Sequence, residues 1–580
     1  MNRKTVSGIM LTLLLASMLT LAFSIQPAKA AGTIYVRADG SVEPDTALIS
    51  SVDNVTYTFT DNIYDTIIIE KSNVTIDGNG YILQGSGGGE GFTLSSVNNV
   101  TIINTNINNY HYGVYLSSSD DNTFSSNIIT NNDDGGVRLN YASGNKFSNN
   151  TIINNDAGVR LNLASDNNTI SNNTITNNDD GVHLGSSSGN TISNNTITNN
   201  FYDGVHLYSF SGNTISNNTI TNNEYGVRLS YASDNNTIFG NNIANNFDGV
   251  LLDFFLDYNN IHENNITDND TGIRLAYLSD YNTISGNNIT NNWEGIWLDM
   301  SSHNTISGNN ITNNSLRGIL LYSSSGNIIF HNNFTDNTEQ VLSYDSTNVW
   351  DDYYPSGGNY WSDYEERYPD AIELDGSGLW NTPYYIDENN QDNYPLMEPW
   401  IATIEASIDI DPDTLNLRSQ GRWITVYIEL PEDYSVVDID VSSIRLNETF
   451  SVDPDAPIQI GDYDSDGASD LMVKLNRTEL TSYLYNILEV KLDTVTLTIS
   501  GQLTDGTLFE GSDIVRTRLA GDVNEDWVVD VIDLSMVGRS FGARMDEDAY
   551  EEKLDLTSDG VIDIRDLMLI GINYGATIPE

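Results

Sequence analysis

The sequence predicts a mainly β protein: a parallel β-helix, then a β-sandwich, then a small α-helical calcium-binding module. Three observations predict this. A unit of 22 or 23 residues recurs from Asn99, Asn122, Asn145, Asn168, Asn190, Asn213, Asn236, Asn259, Asn282, Asn304 and Asn327 with essentially no insertions. Longer alternating segments such as Trp423 to Leu430 and Thr494 to Leu503 replace the repeat beyond Ile401. Two acidic loops 33 residues apart close the chain.

At the N-terminus, Arg3 and Lys4 precede the apolar run Ile9 to Phe23, and Ala28-Lys29-Ala30 has the small-x-small pattern of a signal-peptidase site. Residues 1–30 are therefore expected to be a signal peptide, with an uncleaved anchor as the alternative. No later segment is long and apolar enough to cross a bilayer, so no stable span is expected after cleavage. The 580 residues contain 81 Asp and Glu against 24 Lys and Arg, a net charge of −57, and no Cys. That balance repels nucleic acid, which binds through clustered cations. The missing thiols exclude disulfides, thiolate metal sites and cysteine nucleophiles.

Residues 31–98 are expected to form an N-terminal cap and first coils, and residues 99–348 the repeats. In the copy from 168 to 189 the apolar residues come in short bursts, Ile170, Ile175, then Val182 and Leu184, separated by Asn, Ser, Asp and Gly. Period-two bursts between polar turns are strands, three per copy. One winding buries too few aliphatics to offset its ordering entropy, so stability must come from the ladder between windings. Asn172, Asn173, Asn177 and Asn178 are read as turn and ladder residues, whose amides can bond to their copies one rung away. At ~4.8 Å per rung the copies build a rod on the order of 50 Å long.

The opening Asn73 to Gly85 (NVTIDGNGYILQG), the iterated NTISNNTITNN, and the closing GGNYWSDY (357 to 364) and YPLMEPW (394 to 400) resemble the NosD-type right-handed β-helix family of carbohydrate-binding and sugar-hydrolysis repeats. The resemblance spans residues 33 to 400 or so. It implies a right-handed parallel β-helix. It leaves activity open, because this coil hosts lyases, hydrolases, epimerases, adhesins and copper-delivery accessories.

In each Gly-Val-x-Leu strand, Val and Leu face inward and x faces out, so stacking sets every x in one line. The line reads Tyr115, Arg138, Arg160, His183, His206, Arg228, Leu251, Arg274, Trp297 and Leu320, and it holds four of the six Lys and Arg between 99 and 348. The preceding turn is rich in acids and in rings such as Tyr202 and Trp293. Acids, cations and flat rings together suit a sugar polymer. Arg138, Arg160, Arg228, Arg274, Trp293 and Trp297 are its expected contacts. The competing reading is that the outward arginines only offset repulsion between acids. Catalysis, if present, centres on Asp179, Asp180, His183, Asp203 and His206, where paired carboxylates beside imidazoles can share acid and base work. Against it, a flat, water-exposed face is expected to shift pKa values little. Copper is disfavoured by the missing Cys and by the scatter of His111, His262, His303 and His331 over different columns, with His183 and His206 as the one possible pair.

Residues 349–400 are crowded with Trp and Tyr and are read as a C-terminal cap, since a solenoid's last coil needs a cover. Residues 401–518 are read as the β-sandwich. Within it, Asp462, Asp464, Asp466 and Asp470 alternate around Gly467 and can converge on a hard cation. In the last segment, 519–580, Asp522, Asn524, Asp526, Val528 (through its carbonyl), Asp530 and Asp533 fall at positions 1, 3, 5, 7, 9 and 12 of a calcium loop. Asp555, Thr557, Asp559, Val561, Asp563 and Asp566 repeat the register. Each loop opens an apolar helical stretch. The pair resembles a dockerin, which implies a cohesin-like partner. Trp527 stands at position 6, where Gly is usual, so loop one is expected to bind calcium more weakly. Positions 10 and 11, which face the partner in that family, are Val531, Ile532, Ile564 and Arg565 here.

The sequence thus points to a secreted, cell-surface or extracellular modular protein that binds polysaccharide and attaches to a larger assembly through a calcium-dependent tail. A polysaccharide lyase or glycoside hydrolase on the same rod is the alternative. A structural surface protein or a NosD-like copper accessory is the third reading.

Overall fold

The computed structural model describes residues 32–577, except 210, 402, 418–420, 432–433, 488–493, 505 and 558. The expected signal peptide lies outside the described residues. Two compact units divide between Trp400 and Ile401.

The first unit is a parallel β-helix whose coils stack into three sheets of 15, 14 and 13 strands. The coil from Asn168 contributes Thr169–Ser171, Thr174–Thr176 and Asp180–Gly185, one strand to each. Ile170, Ile175, Val182 and Leu184 point into the bore and are buried. Each meets its copy in the next coil: Ile170 beside Ile192, Ile175 beside Ile197, Val182 beside Val205.

Two residue types hold this geometry. A Cβ on Gly181 would lie 2.5 Å from the Gly204 carbonyl oxygen and 2.8 Å from the Ile197 Cγ2 atom, so the second position of the strand must be glycine. The tandem asparagines divide the labour. Asn172 and Asn177 take left-handed φ of 57° and 54° and turn the chain. Asn173 and Asn178 are buried in continuous ladders. Asn173 donates from its backbone N (2.9 Å) and Nδ2 (3.0 Å) to the Asn195 Oδ1 atom, and again from Nδ2 to the Phe147 carbonyl at 2.9 Å. Every turn amide in that line is thereby satisfied without water.

The ladders end in the aromatic segment. Asn359 donates its backbone N–H to Asp392 at 2.7 Å, and the Asn390 Oδ1 atom accepts from Asn348 at 2.9 Å. The Trp361 ring stacks on Phe334 of the last coil at 4.3 Å and on Tyr384 at 4.0 Å.

In the second unit, sheets of six and four strands enclose Ile410, Val426, Leu446, Leu497 and Phe509. The tail helices Val531–Arg539 and Ile564–Asn573 follow. Trp527, Val529, Val537 and Ile570 of the tail belong to the same buried cluster as the sandwich residues.

Candidate functional site

The repeat length carries each x residue of Gly-Val-x-Leu to the same height on the first sheet. Arg138 pairs with Arg160, Arg160 with His183, His183 with His206, His206 with Arg228, and on through Leu251 and Arg274 to Trp297 and Leu320. A second outward row, two residues further along each strand, was not singled out in the sequence. It brings Asp253 and Asp299 to the same face, and the period-two rule could have found it.

Every arginine of the column lies against a carboxylate. Arg138 and Arg160 reach Asp134 at 3.5 and 3.4 Å, Arg228 reaches Asp253 at 3.4 Å, and Arg274 reaches Asp299 at 3.7 Å and Asp248 at 4.0 Å. Asp180, His183, Asp203 and His206 gather on two adjacent rungs. The His206 Nδ1 atom is 3.2 Å from Asp203 and the His183 Nδ1 atom 3.8 Å from Asp180, with the imidazoles edge to face at 4.9 Å. Asp179 sits at the turn before them, its backbone N–H bonded to Asp156 at 2.8 Å.

The expectation that this face is water-exposed and shifts pKa values little is not met. Long side chains on neighbouring rungs shield one another from water, so the row is a shallow, half-buried trough. Burial, aided by Asp180, pushes Asp203 up to about 7, and burial pushes Asp248 up to about 6. Burial lowers His183 to about 4 and His206 to about 3, with Arg160 acting on the first and His183 and Arg228 on the second. At neutral pH both imidazoles are uncharged.

The same trough holds polar atoms that are buried and have no hydrogen-bond partner: Nε of Arg138, Arg228 and Arg274, Nε1 of Trp297, Nδ1 of His183, and carboxylate oxygens of Asp203, Asp248 and Glu294. Thr271 and, at 4.0 Å, the Arg274 guanidinium lie beside Asp248. An unpaired buried polar group costs about 1–3 kcal/mol, so their gathering on one face contrasts with the saturated ladders inside.

The rings divide into two kinds. Trp297 lies under the Arg274 guanidinium, 4.0 Å away, which covers one face of the indole. Trp293 is exposed at the edge of the trough. At the corner beyond the first sheet, Tyr208, Tyr231, Phe254 and Tyr277 form a row of rings at 5.2, 5.2 and 4.8 Å, the tyrosines exposed, Phe254 half-buried and Tyr208 tilted against its neighbour, a feature sequence reading passed over. Its inner rings face one another and offer solvent their edges.

In the second unit, the turn after Gly461 gathers Asp462, Asp464 and Asp470, and also Asp464 and Asp466 with Glu429, each group within 4.8 Å. Glu429 comes from the strand Trp423–Glu429, too far along the chain for a local motif to include it. The tail loops repeat each other closely: Asp530 and Asp563 both have φ −135° and ψ −162° and cap the two helices. Asp533 and Asp566 are buried and accept the backbone N–H of Asp530 and of Asp563, each at 2.7 Å. Asp522 accepts from Trp527, and Asp555 from Gly560, each at 2.7 Å. Trp527 adopts the left-handed conformation of Gly560, with φ 66° against 82°. Asn524, Asp526, Thr557 and Asp559 line the same loops, and Val528 and Val561 stand at position 7 of each. The oxygen-only donor set fits a hard cation such as calcium. Loop two differs in one respect. Arg565 reaches Asp559 at 2.5 Å and Asp563 at 2.8 Å, and so places a guanidinium on two of the expected ligands.

Residues 72–253 and 243–366, together half of the chain, match the family described as periplasmic copper-binding protein (NosD). The chain belongs to the NosD family. Residues 520–573 match the dockerin type I domain. No curated protein matches the chain. Among solved structures, the NosD-type rod is similar to a mannuronan C-5 epimerase A-module from Azotobacter vinelandii, at 16% identity and TM-score 0.34, over 55% of this chain and 90% of that one. It is similar to a periplasmic alginate epimerase at 17% identity and TM-score 0.37, over 55% and 82%. A GH87 alpha-1,3-glucanase catalytic domain gives 15% identity and TM-score 0.31, over 51% and 62%.

The donors of this NosD chain do not fit copper. The sequence has no thiolate to offer. His262 stacks on Phe239, His303 on Tyr281 and His331 on Trp400, at 5.1, 5.2 and 3.6 Å. Among the described residues no group of three or more metal-ligating side chains with ligand atoms within 4.8 Å of one another includes a histidine.

Proposed function

We propose that the chain is a secreted modular protein that binds polysaccharide along the outward trough of the first sheet and attaches through its calcium-loaded tail to a cohesin-like partner. The observation that carries the reading is the row of buried, unpartnered polar atoms in that trough, beside exposed Trp293 and half-covered Trp297. Sugar hydroxyls donate and accept, and so can pair with arginine Nε and with carboxylate oxygens in one row. The test is affinity electrophoresis of the full chain in gels containing soluble glycans. Retardation should weaken in an Arg228→Ala, Arg274→Ala double variant; unretarded migration in every glycan contradicts the reading.

The tail carries the attachment. Its oxygen donors suit calcium, and the exposed Val531, Ile532 and Ile564 offer an apolar face to a partner. The sandwich turn, with Glu429 added to the four aspartates, supplies a third calcium position.

One observation favours a second reading, acid and base catalysis on the bound glycan. Asp203 stays partly protonated near neutrality while His206, 3.2 Å away, is uncharged. One group can then give a proton and the other take one. New reducing ends or unsaturated products from wild type, lost in Asp203→Asn, would establish it. Polymers returned unchanged by wild type would remove it.

A further inference from the structure

We infer that the trough selects an uncharged polyhydroxyl glycan over an anionic one, an inference that rests on the polysaccharide-binding reading above. A uronate or sulfate needs an unengaged cation, because charge-assisted pairing with Arg or Lys is what holds such groups. The trough offers none. Arg138, Arg160, Arg228 and Arg274 are each within 4.0 Å of a carboxylate, and so is Arg317, which lies 2.7 Å from Glu294 and 3.0 Å from Glu339. Asp179, Asp180 and Glu224 add further acid, and the two imidazoles of the row are neutral. An incoming anion would displace a carboxylate from its partner while entering the field of a chain with net charge −57.

The atoms left unpaired describe the opposite kind of ligand. The row offers both kinds of atom: donors at Nε of Arg138, Arg228 and Arg274 and at Nε1 of Trp297, acceptors at Oδ1 of Asn140, a carboxylate oxygen of Asp203, both oxygens of Asp248 and a carboxylate oxygen of Glu294, with the His183 Nδ1 atom between them. Asp203 and Asp248 are almost wholly buried, so their unpaired oxygens gain most from a partner. The ammonium group of a cationic amino sugar only donates, so it would serve the acceptors and leave the arginine and indole N–H groups to that sugar's fewer hydroxyls. A hydroxyl serves both kinds, and a polymer of hydroxyls does so rung after rung. The arginine side chains, 21–29% exposed, cover these atoms and can yield them by rotation.

The test titrates the full chain calorimetrically with three soluble polymers, a neutral hexan, a hexuronan and an amino-sugar polymer, at low and at raised salt. Binding of the neutral polymer, little changed by salt, is expected, with the hexuronan silent. Trp297→Phe, which keeps a ring under Arg274 and removes one donor, should weaken that binding about fivefold. Preference for the hexuronan or the amino-sugar polymer, or an unchanged affinity in Trp297→Phe, overturns the inference and leaves the polysaccharide reading standing. Silence toward all three overturns that reading, and the inference with it.

Discussion

Asp203 and His206 sit side by side with protonation equilibria pushed in opposite directions, and their effects on stability oppose each other. The folded pKa of His206, about 3, lies below the ordinary imidazole value, so the unfolded chain takes up the proton first. Its contribution is complete above roughly pH 6.5 and fades as the pH falls. Asp203, at about 7, is the reverse: the folded state keeps the proton, so its contribution is complete below roughly pH 4 and fades as the pH rises to 7. His206→Gln should therefore leave thermal midpoints that fall more steeply between pH 4 and 7 than those of wild type. Parallel profiles, followed by circular dichroism, would contradict the assignment. The ladder gives a second residue-scale expectation. The Asn195 Oδ1 atom accepts two bonds from Asn173, so Asn195→Ala strands a buried N–H and a buried amide and should cost about 1–3 kcal/mol in chemical denaturation. An effect below about 0.5 kcal/mol would mean that water replaces the ladder.

At the scale of elements, the strands and their register were legible because the repeat keeps its length and each coil declares its inward residues. The pairing of Arg160, His183 and His206 follows from counting alone. The shielding of Asp203 and Asp248 was not legible. It depends on how side chains from several rungs lean over one another, and no local motif encodes that. Glu429 was missed for a related reason, since only the pairing of Trp423–Glu429 with Asp470–Asn476 brings it to the acidic turn. The paired loop-helix units of the tail were legible, yet their inequality reads differently in three dimensions. Sequence makes loop one the weaker because of Trp527. The structure adds a competing cation in loop two, where Arg565 holds Asp559 and Asp563. In calcium titrations of the full chain, Asp522→Ala and Asp555→Ala should each remove one site, and Arg565→Ala should tighten the second loop severalfold. An Arg565→Ala isotherm identical to wild type would show that the guanidinium leaves the loop freely.

At the scale of the whole molecule, the two units rely on different forces. The rod is held by apolar packing and by amide ladders made of the chain's own groups, whereas carboxylates crowd the candidate cation turns of residues 401–580. Chelation of calcium should therefore lower the unfolding midpoint of the second unit and leave that of the rod in place, as two transitions in calorimetry. A joint shift of both would contradict this division. A glycan lying in the trough of the first sheet would be seen by radical footprinting of side chains with and without saturating neutral oligosaccharide. Protection of Tyr202 and Trp293, with Tyr231 and Tyr277 of the corner stack labelled as before, is the predicted result. Protection of the corner stack with Trp293 unchanged would contradict it.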